Sequence, residues 1–286
     1  MRVLITGAAG QLGRDLVGWF EGEGHHEVVA CDRVALDVAD RDAVLGTVTS
    51  VAPDVVIHPA AWTAVDACEG DPERAFLVNA IGSRHIADGA RRVGAPVVYV
   101  STDYVFDGTK EGAYHEWDEP NPRSVYGASK LAGEREVLAL APGSTVVRTS
   151  WVCGEHGPNM VKTVLRLAGE HATLSFVDDQ RGRPTFTADL APAIGRLAVE
   201  RRPGVFHLAN AGPVSWYEFA REVLMAAGED PDRVHPTTTA ALQPPRPAPR
   251  PANSVLDDLA WRSAGLPSLR DFRAPLFELV ARLQAG

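Results

Sequence analysis

An apolar run, Val3 to Thr6, leads directly into Gly7-Ala8-Ala9-Gly10-Gln11-Leu12-Gly13 and then into an amphipathic stretch from Arg14 to Phe20. Few folds begin this way. A short uncharged run reads as a strand buried on both faces, as in a parallel sheet. Glycines let the chain turn tightly and let a ligand approach the backbone, and the helix that follows aims its first amides at that space. Strand, glycine turn and helix in this order suit the pyrophosphate of a dinucleotide, with Gly7, Gly10 and Gly13 closest to it. The spacing is G-x-x-G-x-x-G rather than G-x-G-x-x-G, and a tight turn without a ligand would use the same glycines.

The rest of the first half repeats the alternation. Strands are expected at Glu27–Cys31, Asp54–His58, Pro96–Val100 and Thr145–Ser150, with helices at about 40–51, 71–93 and 126–140. Such alternation implies an α/β fold, a doubly wound parallel Rossmann sheet. In an open sheet of this type, ligands bind beyond the carboxyl ends of the strands. The second strand ends at Asp32-Arg33. An acid about 20 residues past the glycines is placed for the adenosine ribose hydroxyls, whereas Arg33 would meet a 2′-phosphate, so NADH and NADPH both stay open. Asp37-Val38 follows in a turn able to reach the adenine edge. Small residues after the third strand, Ala60 and Ala61, followed by Trp62 and Thr63, leave room for a cofactor. His58 reads as a packed residue, and Asn79 as a solvated or structural amide.

The fourth strand ends in Ser101-Thr102-Asp103-Tyr104, which sets polar groups where a site would lie. A loop with Pro120 and Pro122 then precedes Ser124-Val125-Tyr126-Gly127-Ala128-Ser129-Lys130. On a helix, Tyr126 and Lys130 share one face. A lysine charge there favours the phenolate and would lower the tyrosine pKa, making Tyr126 a general acid for a developing alkoxide.

Beyond Trp151 the pattern loosens. Helices are expected at 159–169, 187–200, 215–227, 254–264 and 268–283, and short apolar runs at 173–177 and 204–209. A Pro-rich segment, 236–251, reads as a connector or a strap beside the site. The chain therefore divides into a dinucleotide-binding domain, 1–150, and a smaller, mainly substrate-binding region, 151–286, with segments returning to the sheet. With 28 Lys and Arg against 37 Asp and Glu, the net charge of −9 argues against nonspecific nucleic-acid binding. Three cysteines without C-x-x-C spacing suggest reduced thiols rather than a disulfide frame or zinc site. No signal sequence or membrane span is legible, so a cytoplasmic protein is expected.

Longer strings carry a resemblance. GAAGQLG at 7–13, AAWTAVD at 60–66, STDYVFDG at 101–108, SVYGASKLAGE at 124–134, VVRTSWV at 146–152, DDQRGRPT at 178–185 and RPANSVL at 250–256 resemble the dTDP-4-dehydrorhamnose reductase family of extended short-chain dehydrogenases. The resemblance implies reduction of the C4 ketone of dTDP-4-dehydro-β-L-rhamnose with NADPH or NADH. By it, Thr102, Tyr126 and Lys130 are catalytic. Gln11, Leu12, Asp32, Asp37, Val38, Ala61, Trp62 and Thr63 line the cofactor, and Lys130 reaches the nicotinamide ribose. Thr102, Asp103, Tyr104 and Trp151 face the sugar, with Gln180, Arg183, Arg250 and Asn253 on the nucleotide-sugar side.

The sequence departs from the family pattern at Trp62, Cys153 and Met160, around the sugar pocket. Asp15 and Asp189 stand near positions where some members hold magnesium between subunits; no metal is expected here, and a homodimer is left open. Two rivals remain. One is a reductase of another dTDP-4-keto-6-deoxysugar. The other is a regulatory subunit that binds a dinucleotide without turnover.

Overall fold

A computed structural model describes residues 1–285. The chain opens with β1 (Arg2–Thr6), α1 (Gln11–Gly22), β2 (Glu27–Cys31), α2 (Arg41–Val51) and β3 (Val55–His58). After a short α3 (Val65–Gly70) come α4 (Pro72–Phe76), a π-helical segment (Leu77–Ile81) and α5 (Gly82–Val93). Next are β4 (Val97–Thr102), α6 (Val125–Leu140) and β5 (Thr145–Thr149). The helix expected over 71–93 is thus broken by a π turn. β4 runs two residues further than expected, so Ser101 and Thr102 belong to the strand and pair with Arg148 and Thr149.

The second half holds β6 (Val152–Cys153), α7 (Met160–Glu170), β7 (Leu174–Val177), β8 (Arg181–Gly182), β9 (Thr185–Phe186) and α8 (Thr187–Val199). β10 (Gly204–His207), β11 (Val214–Ser215), α9 (Trp216–Ala226), β12 (Val234–Thr237), α10 (Leu259–Ser263) and α11 (Arg273–Ala285) complete it. The helix expected over 254–264 forms only at its end. Pro236 lies in β12, paired with β7, and the chain beyond Leu242 runs as an irregular strap.

Six strands form one parallel sheet in the order β10-β5-β4-β3-β1-β2. The order reverses between β1 and β3, so the ligand crevice opens at their carboxyl ends. β10 returns from the second half to the edge beside β5.

Each face of the sheet is covered by helices. α1 and α8 bury Leu12, Leu16, Phe20, Leu190, Ile194 and Leu197 on one side. Val44, Val48, Ile86 and Val137 pack the other. Each such side chain contributes about 2 kcal/mol of burial. A third core, around Val161, Phe219, Phe272 and Leu276, supports the C-terminal region. Among the described residues no helix is long and apolar enough to cross a membrane.

Candidate active site

The glycine turn sits at the switch point. A Cβ on Gly7 would lie 2.9 Å from Ala60 Cα, so the turn after β1 and the loop after β3 touch through backbone alone. A Cβ on Gly13 would lie 2.2 Å from Gly7 O, and helix and turn could not close. Helix α1 starts at Gly10 with no side-chain cap, whereas α2, α6, α7 and α9 are capped by Asp40, Ser124, Asn159 and Ser215. Its first amides are left for an anion. These features fit a dinucleotide phosphate.

The flanking candidates divide. Leu12 is buried in the core, and the Gln11 side chain reaches the second half, donating to Val152 O at 3.0 Å and accepting from Asn159 Nδ2 at 2.7 Å. These two offer the crevice backbone rather than side chains. Asp32 Oδ1 accepts from Val34 N and Ala35 N, closing its own turn. Arg33 is exposed and forms a long ion pair with Asp37, 3.9 Å from its Oδ2. Val38 is buried and packs close to Gly82. The loop of Ala60, Ala61, Trp62 and Thr63 borders the crevice, with the Arg74 guanidinium 4.5 Å from the Trp62 ring centre.

Asn79 fixes that loop. Its Oδ1 accepts from Trp62 N at 2.7 Å, and its Nδ2 donates to Trp62 O at 3.1 Å and Ser129 Oγ at 3.0 Å. It is fully buried, not solvated, and joins the cofactor loop to the Tyr126 helix. The π turn aims it there. His58 is packed as expected, sharing hydrogen bonds with Thr6 and Ser83, and burial pushes it down to about 3.

α6 is seated tightly. Ser124 caps it by accepting from Gly127 N, and Glu69 Oε1 accepts from Val125 N at 2.8 Å. A Cβ on Gly127 would fall 2.2 Å from Tyr104 O, and one on Gly133 2.4 Å from Asn79 O. The glycine beside Tyr126 is therefore needed for the close approach that presents the phenol. Tyr126 packs edge-on to Tyr104, with ring centres 5.6 Å apart.

The electrostatics reverse one expectation. Burial pushes the Tyr126 phenol up, with Thr102 the chief group opposing the rise and Asp103 adding to it. Lys130 is not among the main groups offsetting this rise. Its Nζ donates to Val100 O at 2.7 Å and sits 4.1 Å from the Tyr99 ring centre, and burial pushes it down to about 7. A buried lysine is only partly charged at neutral pH, so it lends a phenol less than a free ammonium would. Raised, Tyr126 is the protonated donor that a developing alkoxide requires.

Thr102 Oγ1 donates to Asp103 Oδ1 at 3.0 Å and accepts from Tyr104 N. Asp103 is buried, its Oδ2 has no partner, and burial lifts its pKa to about 6. Thr102, Asp103, Tyr104 and Tyr126 thus converge beyond β4. Trp151 stands opposite with φ +47°, sparsely populated for a bulky residue, and stacks on Trp216 at 3.5 Å.

Tyr104, Trp151, Gln180, Trp216, Arg250, Pro251 and Ser254 enclose only about 10 Å³ of free space. A small-ligand site usually needs about 300 Å³ or more, so the pocket is too narrow for a sugar as it stands. The strap lines it through Arg250, which forks onto Asp66, 184 residues away. Asn253 instead holds the 110–112 loop, and Arg183 is not among the enclosing residues. Asp66 and Trp216 were not singled out by sequence reasoning: neither sits in a local pattern that marks it. Asp189 is bound by Asn210 and Arg270, and no metal-binding cluster occurs among the described residues. A larger cleft on Asp71, Arg74, Phe76 and Ile81 lies outside this site.

Known proteins resemble this chain over nearly its whole length. The family model described as "RmlD substrate binding domain" matches residues 1–285. A dTDP-4-dehydrorhamnose reductase of Streptomyces griseus is 45% identical, over 97% of this chain and 92% of the relative. A probable dTDP-4,6-dihydroxy-2-methyloxan-3-one 4-ketoreductase of Streptomyces antibioticus is also 45% identical, over 100% and 97%. The crystal structure of dTDP-4-dehydrorhamnose reductase from Bacillus anthracis in complex with NADP superposes with a TM-score of 0.92 at 37% identity, covering 99% of this chain and 98% of that one.

Proposed function

The chain belongs to the RmlD substrate binding domain family, and from that premise we propose that it reduces the C4 ketone of dTDP-4-dehydro-β-L-rhamnose to dTDP-β-L-rhamnose. It is an NAD(P)H-dependent oxidoreductase acting on a nucleotide sugar. The observation that carries the mechanistic reading is the convergence of Thr102 and Tyr126 on Tyr104 at the carboxyl end of β4, Thr102 accepting from Tyr104 N and the Tyr126 ring packing on the Tyr104 ring.

NADPH or NADH supplies the hydride. Gly7, Gly10 and Gly13 with the α1 amides would hold its pyrophosphate, Asp32, Arg33, Asp37 and Val38 its adenosine end, and Ala60 to Thr63 its middle. Lys130 would hold the nicotinamide ribose. Tyr126 gives its proton to the carbonyl oxygen, and Thr102 steadies the charge that develops there. A preorganised donor of this kind contributes about 3–4 kcal/mol. Asp103, Tyr104 and Trp151 orient the sugar, and Arg250 meets the diphosphate once Asp66 releases it. In this reading residues 1–150 bind the dinucleotide and 151–286 mainly the nucleotide sugar, in a cytoplasmic enzyme.

The Streptomyces antibioticus relative supports a second reading, a reductase of another dTDP-4-keto-6-deoxysugar. NADPH consumption on dTDP-4-keto-6-deoxyglucose separates the two. The rhamnose reading requires added 3,5-epimerase; turnover without it supports the second. The retained Thr102, Tyr126 and Lys130 argue against a regulatory subunit.

A further inference from the structure

Behind the Tyr126–Lys130 face lies an ion pair wholly inside the protein. Arg148 Nε donates to Glu134 Oε1 at 3.0 Å and its Nη2 to Oε2 at 2.8 Å, with side chains 5% and 3% exposed. Ser101 Oγ donates to the same Oε1 at 2.5 Å. Glu134 follows Lys130 by one helical turn, on the same side of α6. Ser101 follows Val100, whose carbonyl receives Lys130 Nζ. Consecutive residues of β4 thus grip consecutive turns of α6. A buried pair gives little net stability over an apolar replacement, and the reaction described above does not use it.

We propose that Glu134, pinned between Ser101 and Arg148, is a positioning residue that keeps Lys130 cationic against the Val100 carbonyl, in place for the cofactor. The proposal rests on the reductase reading for the use made of Lys130. Burial works against the charge on Lys130, and Glu134 is the group that opposes that effect. No other neighbour can replace it. His58, from β3, is kept neutral by burial and by the lysine charge itself. Tyr99, from β4, and Tyr126, one turn earlier on α6, are both protonated by burial. Asp103, beyond β4, is engaged by Thr102. Arg148, from β5, is neutralised by Glu134 itself. The π segment and α5 bring Asn79 and Ser83, which do not titrate, and across the α5–α6 contact the Arg84–Glu136 pair is exposed.

The chain has three lysines, Lys110, Lys130 and Lys162, so lysine side-chain carbon NMR can titrate each one in the cofactor-free protein. Lys130→Met assigns the signal. In Glu134→Gln, Lys130 should titrate about one pH unit or more below its wild-type value. Glu134→Gln/Arg148→Met, which leaves no buried unpaired charge, should shift it in the same direction and covers the case in which the single variant fails to fold. In turnover, kcat should be lost mainly on the alkaline side, with the limb moved to lower pH. An unmoved Lys130 midpoint in the double variant overturns the proposal, as does an equal loss of kcat at every pH. The titration needs no substrate, so a wrong sugar assignment would leave it readable.

Discussion

Arg250 Nη2 donates to Asp66 Oδ2 at 2.7 Å, and this fork ties the strap after β12 to the start of α3 beside the narrow pocket lined by Tyr104 and Trp151. Arg250 is the one cation lining that pocket among the described residues. Arg250→Met should raise KM for the nucleotide sugar about 10- to 100-fold, the range for losing a hydrogen bond to a charged group. The dissociation constant for NADPH, measured by fluorescence, should change by less than about 2-fold.

Asp103 makes stability depend on pH in an unusual direction for a carboxyl. Its folded pKa, about 6, lies above the unfolded value of 3.8, so the native state holds the proton more tightly between them. Stability therefore falls as pH rises through that window and stays lower above it. Asp103→Asn should stabilise the protein by about 2–3 kcal/mol at pH 8 and by little at pH 4. Urea unfolding at the two pH values measures the difference.

Asn79→Ala removes three hydrogen bonds and strands the Trp62 backbone groups. Urea unfolding should show a loss of about 2–4 kcal/mol. NADPH affinity should fall as well, because the Trp62 loop loses its anchor. Unchanged affinity would show that the loop needs no such anchor.

Tyr126→Phe keeps the ring against Tyr104 and removes the acid. NADPH binding should persist while kcat falls at least about 100-fold. Near-normal turnover in stopped-flow assays would take the proton-transfer role from Tyr126.

The sheet was legible because its signals are local: a glycine turn after an apolar run, then strands and helices in alternation. The Tyr126–Lys130 spacing is local in the same way, whereas the role expected of Thr102 comes from the family resemblance. What escaped depends on distance or burial. Asp66 and Arg250 meet across most of the chain, and nothing beside either residue announces the other. Asn79 reads as a solvated or structural amide because an unbroken helix over 71–93 gives it no special direction; the π turn does, and it is structural. The Tyr126 shift was expected downward because spacing shows Lys130 one turn away but not the Val100 carbonyl that accepts its hydrogen bond, nor the burial of both side chains that pushes the phenol up.

The reduced carbon can be read directly. With NADPH carrying deuterium at the transferred position and the 3,5-epimerase present, NMR of the product should show deuterium at C4 of dTDP-β-L-rhamnose. A product labelled at C4 that forms equally well without the epimerase, or a sugar carrying no deuterium, would contradict the assignment.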